Sequence, residues 1–302
     1  MKAPVRTALV NAALRLRGRR NVVLDSVAAV DERVRRRAED PVDPRPPRLR
    51  GVRVTLVEDT PMPVWTLEPT GRPPSGRVAV SLHGGAYISE IDPIHWRVLA
   101  GLVRRTGVLG VVPLYSLAPA VTAATTVAET TTVMTRLIER FGGENVVLKG
   151  DSAGGGLALA VAQQLRDQGA PSVAHLVLVS PWLDVTMREP EQRALEPGDL
   201  MLSVDGLVAC GRLYAGGLDP ADPRVSPLYG DLSGLPPVSV FVGDRDVLVT
   251  DARRFVEKAR RAGVDVEYVE SAGMQHVYPF FPLLPESRAA RRRIGELLTE
   301  TG

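Results

Sequence analysis

The chain alternates between two hydrophobic periods. Short β-rich runs at Val52 to Val57, Val64 to Glu68, Val78 to Leu82, Leu109 to Val112, Val146 to Lys149, Leu176 to Ser180, Val238 to Val242 and Val264 to Glu270 read as strands. Longer stretches with helical spacing separate the later ones: Ile94 to Arg105, Thr125 to Arg140, Gly155 to Arg166, Asp251 to Ala262 and Glu286 to Thr299. Strands that alternate with helices of ten or more residues predict right-handed crossovers and a mostly parallel sheet with helices on both faces. The near-unbroken apolar character of Leu176 to Val179 and Val238 to Val242 fits strands covered on both sides.

Two regions fall outside this alternation. The first forty residues predict two amphipathic helices, with Val5, Leu9, Ala12 and Leu16 on one stripe and Val23, Val27, Val30 and Val34 on the other. Their arginines lie mostly off the stripes, as on a solvated face. Pro41, Pro44, Pro46 and Pro47 then form a linker to the body. The second region runs from Asp184 to about Gly217, where Pro190, Pro197 and Gly198 precede a helix-like stretch with Val204, Leu207, Val208 and Tyr214. It follows a strand end, where open α/β sheets bind ligands, and so is placed to act as a lid. An ordinary packing helix with a long loop is the alternative.

Composition narrows the picture. The 302 residues suit one large α/β domain, and the net charge of +2 gives no reason to expect a polyanionic partner such as nucleic acid. Residues 1–50 are locally basic, with 13 Lys or Arg against 6 Asp or Glu, which the helical spacing explains as an exposed helix face. Cys210 is the only cysteine, so no intrachain disulfide and no thiolate metal cluster can form. Arg15, Arg17, Arg19 and Arg20 interrupt any signal-type apolar segment, and no run approaches the length of a membrane span; a cytoplasmic protein without stable membrane insertion is expected.

The chemistry concentrates at Gly150-Asp151-Ser152-Ala153-Gly154, which joins the apolar run at Val146 to a helix-like stretch beginning at Gly155. A serine on a tight strand-to-helix turn projects its hydroxyl from the carboxyl edge of a sheet, where it can attack a carbonyl. Such a nucleophile needs a base and an acid to orient that base. Of the four histidines, His83, His95, His175 and His276, only His276 follows the serine with room for an acid between them, in the order serine, acid, histidine. Asp244 and Asp246 compete for the acid after the strand at Val238; apolar residues after Asp246 favour it, and Asp244 beside Arg245 looks like a solvated turn residue. Asp251 is expected to cap the following helix. His83-Gly84-Gly85-Ala86-Tyr87 follows the strand at Val78, and the N–H groups of Gly84 and Gly85 with that of Ala153 are the expected oxyanion donors.

Taken together, His83-Gly84-Gly85, Gly150-Asp151-Ser152-Ala153-Gly154-Gly155, Ser180-Pro181-Trp182, Ser226-Pro227-Leu228 and the Asp246 and His276 segments resemble the hormone-sensitive-lipase family of α/β-hydrolases, over most of the chain from Val78 onward. The resemblance implies an α/β-hydrolase fold, a carboxylesterase or short-chain lipase activity without metal or cofactor, and a cap built from residues 1–50 plus the insertion 184–217 over a body of 51–183 and 218–302. Two departures stand out. Ala86 occupies the place where many members have a third glycine, and Tyr115-Ser116-Leu117-Ala118-Pro119-Ala120 lacks the charged pair usual there. The expected substrate is a short- to medium-chain acyl ester, with Tyr87, Trp96, Leu200, Met201, Leu202, Leu207 and Tyr214 as candidate lining. Cleavage of a small N-acyl amide, or ligand binding without turnover, are the alternatives, and a homodimer is plausible from the exposed edge strands and the last helix.

Overall fold

The computed structural model describes residues 26–300. The stripe from Val5 to Leu16 lies outside them. The elements follow in the order α1 (Val27–Glu39), β1 (Val52–Val57), β2 (Val64–Pro69), β3 (Val78–Leu82), α2 (Pro93–Thr106), β4 (Leu109–Pro113), α3 (Ala123–Phe141), β5 (Val146–Asp151), α4 (Ala153–Asp167), β6 (His175–Val179), α5 (Pro190–Leu195), α6 (Val204–Ala215), β7 (Val238–Gly243), α7 (Val249–Arg261), β8 (Val266–Ser271) and α8 (Pro285–Leu297).

The eight strands form one sheet in the order β1-β2-β4-β3-β5-β6-β7-β8. β1, β2 and β4 pair antiparallel, and every pairing from β4 to β8 is parallel. A parallel pairing needs a crossover connection, and the helices that supply it cover both faces of the sheet. The central strands β3, β5 and β7 are buried along their whole length and β6 from Leu176 to Val179, which for β6 and β7 is the coverage on both sides that their apolar runs predict. Two apolar clusters result, one on each face. The first joins α3, α4, α6 and α7 to the sheet; the second packs α2 and α8 against the other side.

The predicted strands and helices keep their ends or shift them by one or two residues, and local geometry explains two of the shifts. α2 starts at Pro93 because the Asp92 side chain accepts from Ile94 N at 2.8 Å and the His95 ring reaches back to the Asp92 backbone. α4 starts directly after Ser152, which leaves no room for a separate turn. In the amino-terminal arm, Val30 is buried and Val27 is exposed, so α1 lies on the body along a narrow stripe. α1 packs against α6 of the insertion. Its arginines are not all solvated: the Arg37 guanidinium bonds the carbonyls of Ile88 and, at 2.8 Å, Ala118, pinning the arm to two body loops. Arg35 and Arg36 pair with Glu32 and Glu39 on the exposed face.

Candidate active site

The register of the sheet builds the site. Leu82 pairs with Gly150 across the β3–β5 ladder, so the residues that follow each strand meet: the His83-Gly84-Gly85 loop lies against Asp151 and Ser152. Ser152 has φ 53°, the left-handed strain expected of a serine on a sharp strand-to-helix turn. Glycine is obligatory around it because other backbone comes so close. A Cβ on Gly150 would sit 2.1 Å from Gly154 O, and one on Gly154 would sit 2.2 Å from Leu82 O. The turn is further held by Ser152 N donating to Val179 O at 2.9 Å and Trp182 N donating to Ser152 O at 3.0 Å.

The neighbouring residue of β6, Ser180, fixes the histidine loop: its Oγ accepts from Val277 N at 2.9 Å. Adjacent residues at one strand end therefore anchor both loops. His276 Nδ1 lies 2.8 Å from Asp246 Oδ2, and both side chains are buried. Asp246 Oδ1 accepts from Leu248 N at 2.9 Å, which fixes the carboxylate plane. Burial disfavours a charged imidazole, but the bonded Asp246 carboxylate, with Asp199 and Asp151 nearby, holds the His276 pKa above the usual histidine value of 6.5. Ser152 Oγ makes no hydrogen bond among the described residues and stays slightly open to solvent, 6% exposed with the rest of its residue.

Asp244 is not a bare turn residue. Its Oδ1 accepts from Gly273 N at 2.7 Å, and Arg245 N donates to Met274 O at 3.1 Å, so the loop of Asp244 to Asp246 is bonded to the loop that leads to His276. Asp251 does not cap a helix either. It lies inside α7, fully buried, and accepts from Leu183 N, Asp184 N and Gln192 Nε2 at 2.9 to 3.0 Å. It thereby ties the start of the insertion to the body.

The expected oxyanion donors need one correction. Gly84 N donates to Asp151 Oδ2 at 3.0 Å, so that hydrogen is not free for a substrate oxygen. Among the described residues, the N–H groups of Gly85 and Ala86 in the loop and of Ala153 at the start of α4 donate to no partner. Gly85 has φ 131° and Ala86 φ 53°, a reversal that turns these amides out of the strand direction. Asp151 Oδ2 also accepts from His95 Nε2 at 3.0 Å, and His95 packs edge-on against Phe280. Burial would raise the Asp151 pKa, but His95, Lys149 and His83 around it hold the carboxyl below the ordinary value. Neither Asp151 nor His95 stood out in the sequence. The only local signal was that Asp151 is the residue before Ser152, buried in the same strand end.

Of the candidate lining residues, Tyr87, Leu207 and Tyr214 are buried in the cluster on the α4 face, and Met201 and Leu202 are half-exposed. Tyr87 follows Ala86 directly and stacks on Tyr214 of α6 with ring centroids 3.5 Å apart and planes 3° apart. The loop with the free amides and the insertion helix thus share one aromatic stack, which Trp182 extends. Trp96 does not belong with them. It is buried in the cluster on the other face of the sheet, edge-on to Trp65, because α2 turns its apolar stripe toward β2 and α8. Leu200 is half-exposed, in the insertion, and its N donates to Gln275 Oε1. Among the described residues no group of three or more His, Cys, Asp or Glu is arranged to hold a metal, and no helix is long and apolar enough to cross a membrane.

A sequence profile of the α/β hydrolase fold matches residues 79–280, two thirds of the chain. The chain belongs to the hormone-sensitive-lipase-like esterases of this fold. It is 35% identical over 230 residues to an acetyl-hydrolase of Streptomyces hygroscopicus, covering 75% of this chain and 77% of that one. It is 30% identical to an esterase of Acinetobacter venetianus over 97% of this chain and 94% of the relative. The crystal structure of an esterase from the bacterial hormone-sensitive lipase family superposes with a TM-score of 0.83, at 29% identity over all of this chain and 99% of that one. The protein is a carboxylester hydrolase.

Proposed function

We propose that this esterase cleaves short- to medium-chain acyl esters by two-step acyl transfer on Ser152. His276 takes the serine proton as Oγ attacks the ester carbonyl, Asp246 fixes the imidazole tautomer, and the acyl group passes to Ser152 as the alcohol leaves with a proton from His276. His276 then activates water, and the acid departs. The observation that carries the reading is the buried 2.8 Å pair of His276 and Asp246, supported by Ser180 on the strand end that also anchors the serine turn. The N–H groups of Gly85, Ala86 and Ala153 hold the oxyanion, each donor contributing on the order of 3 kcal/mol to transition-state stabilisation.

In this reading the arm and the insertion 184–217 form the cap. Support comes from the packing of α1 on α6 and from the Tyr87–Tyr214 stack, which joins the insertion to the loop after β3. The Ala86 methyl beside the free amides favours a small acyl group, and the acetyl-hydrolase relative agrees with that. Fluorophosphonate labelling tests the nucleophile. The intact protein labels and Ser152→Ala does not; an active protein that fails to label, or a variant that still labels, overturns the assignment. A p-nitrophenyl ester series from acetate to laurate tests the pocket, with the maximum expected at or below eight carbons. A clear preference for laurate would count against it.

A further inference from the structure

Three consecutive residues of the insertion are bonded to the two loops that carry the acid and the base. Gly198 O accepts from Gln275 Nε2 at 3.1 Å, and Leu200 N donates to Gln275 Oε1 at 2.9 Å. Between them, Asp199 Oδ2 accepts from Val247 N at 3.0 Å. Gln275 immediately precedes His276, and Val247 immediately follows Asp246. One short strip of chain therefore spans both partners of the 2.8 Å pair.

The turn at 199 does not by itself require a carboxylate. Asp199 Oδ1 alone closes the local turn, accepting from Met201 N at 2.8 Å and Leu202 N at 3.0 Å, and an asparagine oxygen would do the same. A carboxylate there is 9% exposed and faces a second carboxylate, Asp246, an arrangement that opposes ionisation. Burial and the Asp246 charge accordingly push the Asp199 carboxyl up to about 6. The charged and titratable groups that act on Asp199 are Asp246 and His276; those that act on His276 are Asp246, Asp199 and Asp151. What the carboxylate gains in this position is a cation to face when His276 takes the serine proton.

We propose that Gly198–Leu200 is a clamp that holds His276 and Asp246 in register, with Asp199 and Gln275 as positioning residues and with the Asp199 carboxylate adding to the negative field on the imidazole. The inference rests on His276 and Asp246 being the base and the acid. Because the clamp lies between α5 and α6, a shift of the insertion is transmitted to the base as well as to the pocket wall.

Two variants separate the parts. Asp199→Asn keeps the acceptor for Met201 and Leu202, turns a donor toward Val247 N, and removes the charge. Gln275→Met keeps the length and removes both bonds to Gly198 and Leu200 without changing any charge. With p-nitrophenyl acetate across pH 5 to 9, each variant is expected to lose ~10-fold or more in kcat with KM within about threefold, as for the loss of one or two buried hydrogen bonds expressed in the transition state. The acid limb of kcat/KM moves to lower pH by roughly half a unit or more in Asp199→Asn, because a negative neighbour of His276 is gone, and stays in place in Gln275→Met. An unmoved limb in a folded Asp199→Asn protein, or kcat within twofold of wild type in Gln275→Met, overturns the clamp. Thermal melts report folding, and should Asp199→Asn not fold, kcat of Gln275→Met decides alone. His276→Ala run alongside keeps the two readings apart: a His276→Ala protein that retains activity refutes the base, whereas an inactive one leaves the outcomes above to bear on the clamp.

Discussion

Gly84→Ala is the smallest change that probes how the oxyanion loop is held. The Gly84 backbone lies outside the left-handed region, so alanine is conformationally allowed and the perturbation is one of contact alone. Its Cβ would sit 2.5 Å from Asp151 Oδ2, 3.1 Å from Asp151 O and 3.1 Å from Ser152 Cβ. Ordinary contact begins at 3.4 Å, so carboxylate and loop must separate by about 0.9 Å. Asp151 cannot swing aside freely, because His95 holds the same oxygen at 3.0 Å; the loop has to retreat instead. It takes with it the next two amides, those of Gly85 and Ala86. Losing the alignment of one oxyanion donor costs ~3 to 4 kcal/mol, or 10² to 10³ in kcat. Overpacking alone costs stability by ~1 to 3 kcal/mol, which for a domain of this size lowers Tm by several degrees without unfolding it at 25 °C. The assay is p-nitrophenyl acetate hydrolysis with kcat and KM separated, beside a thermal melt. The expected outcome is a fall of at least ~100-fold in kcat with KM changed little. A folded Gly84→Ala protein within fivefold of wild-type kcat would refute the reasoning, and with it the placement of the oxyanion donors in this loop.

The state of His276 gives a pH prediction. In the proposed mechanism its imidazole must be neutral to accept the serine proton, and the carboxylates around it hold its pKa above 6.5, so activity falls as pH drops through a limb above that value; a kcat/KM profile with its acid limb below 6 would contradict this. Trp96→Leu tests the side of the sheet. It leaves a cavity among the residues beside Trp65 and is expected to cost ~2 to 4 kcal/mol by denaturant unfolding while the acyl-chain preference stays that of wild type; a changed preference would place Trp96 in the pocket after all.

How much of this was legible in the chain depends on the distance over which each feature is determined. The strands and helices were readable because burial on both faces writes a mostly apolar run, and crossover helices write a 3.6-residue period, within a dozen residues of sequence. The serine turn was readable for the same reason: the glycines where an added Cβ would strike backbone at 2.1 to 2.2 Å lie two residues to either side of it. The pairing of Asp246 with His276 was reachable through chain order, which topology fixes once the strands alternate with helices, and their part in catalysis with Ser152 is the proposal made above. Features set by contacts between distant segments were not. That Gly84 gives its N–H to Asp151, 67 residues away, follows from Leu82 pairing with Gly150, and strand register across a parallel ladder leaves no local mark. Trp96 shows the same blindness in a helix, since an amphipathic stripe says that one side is buried but not which face of the sheet receives it. Asp251 and Asp199 extend the point to charge. An aspartate near a helix start or a glycine turn reads as a cap or a solvated bend. Only the converging N–H groups of Leu183, Asp184 and Val247, brought in by the insertion and the acid loop, make these two carboxylates part of the frame around the site.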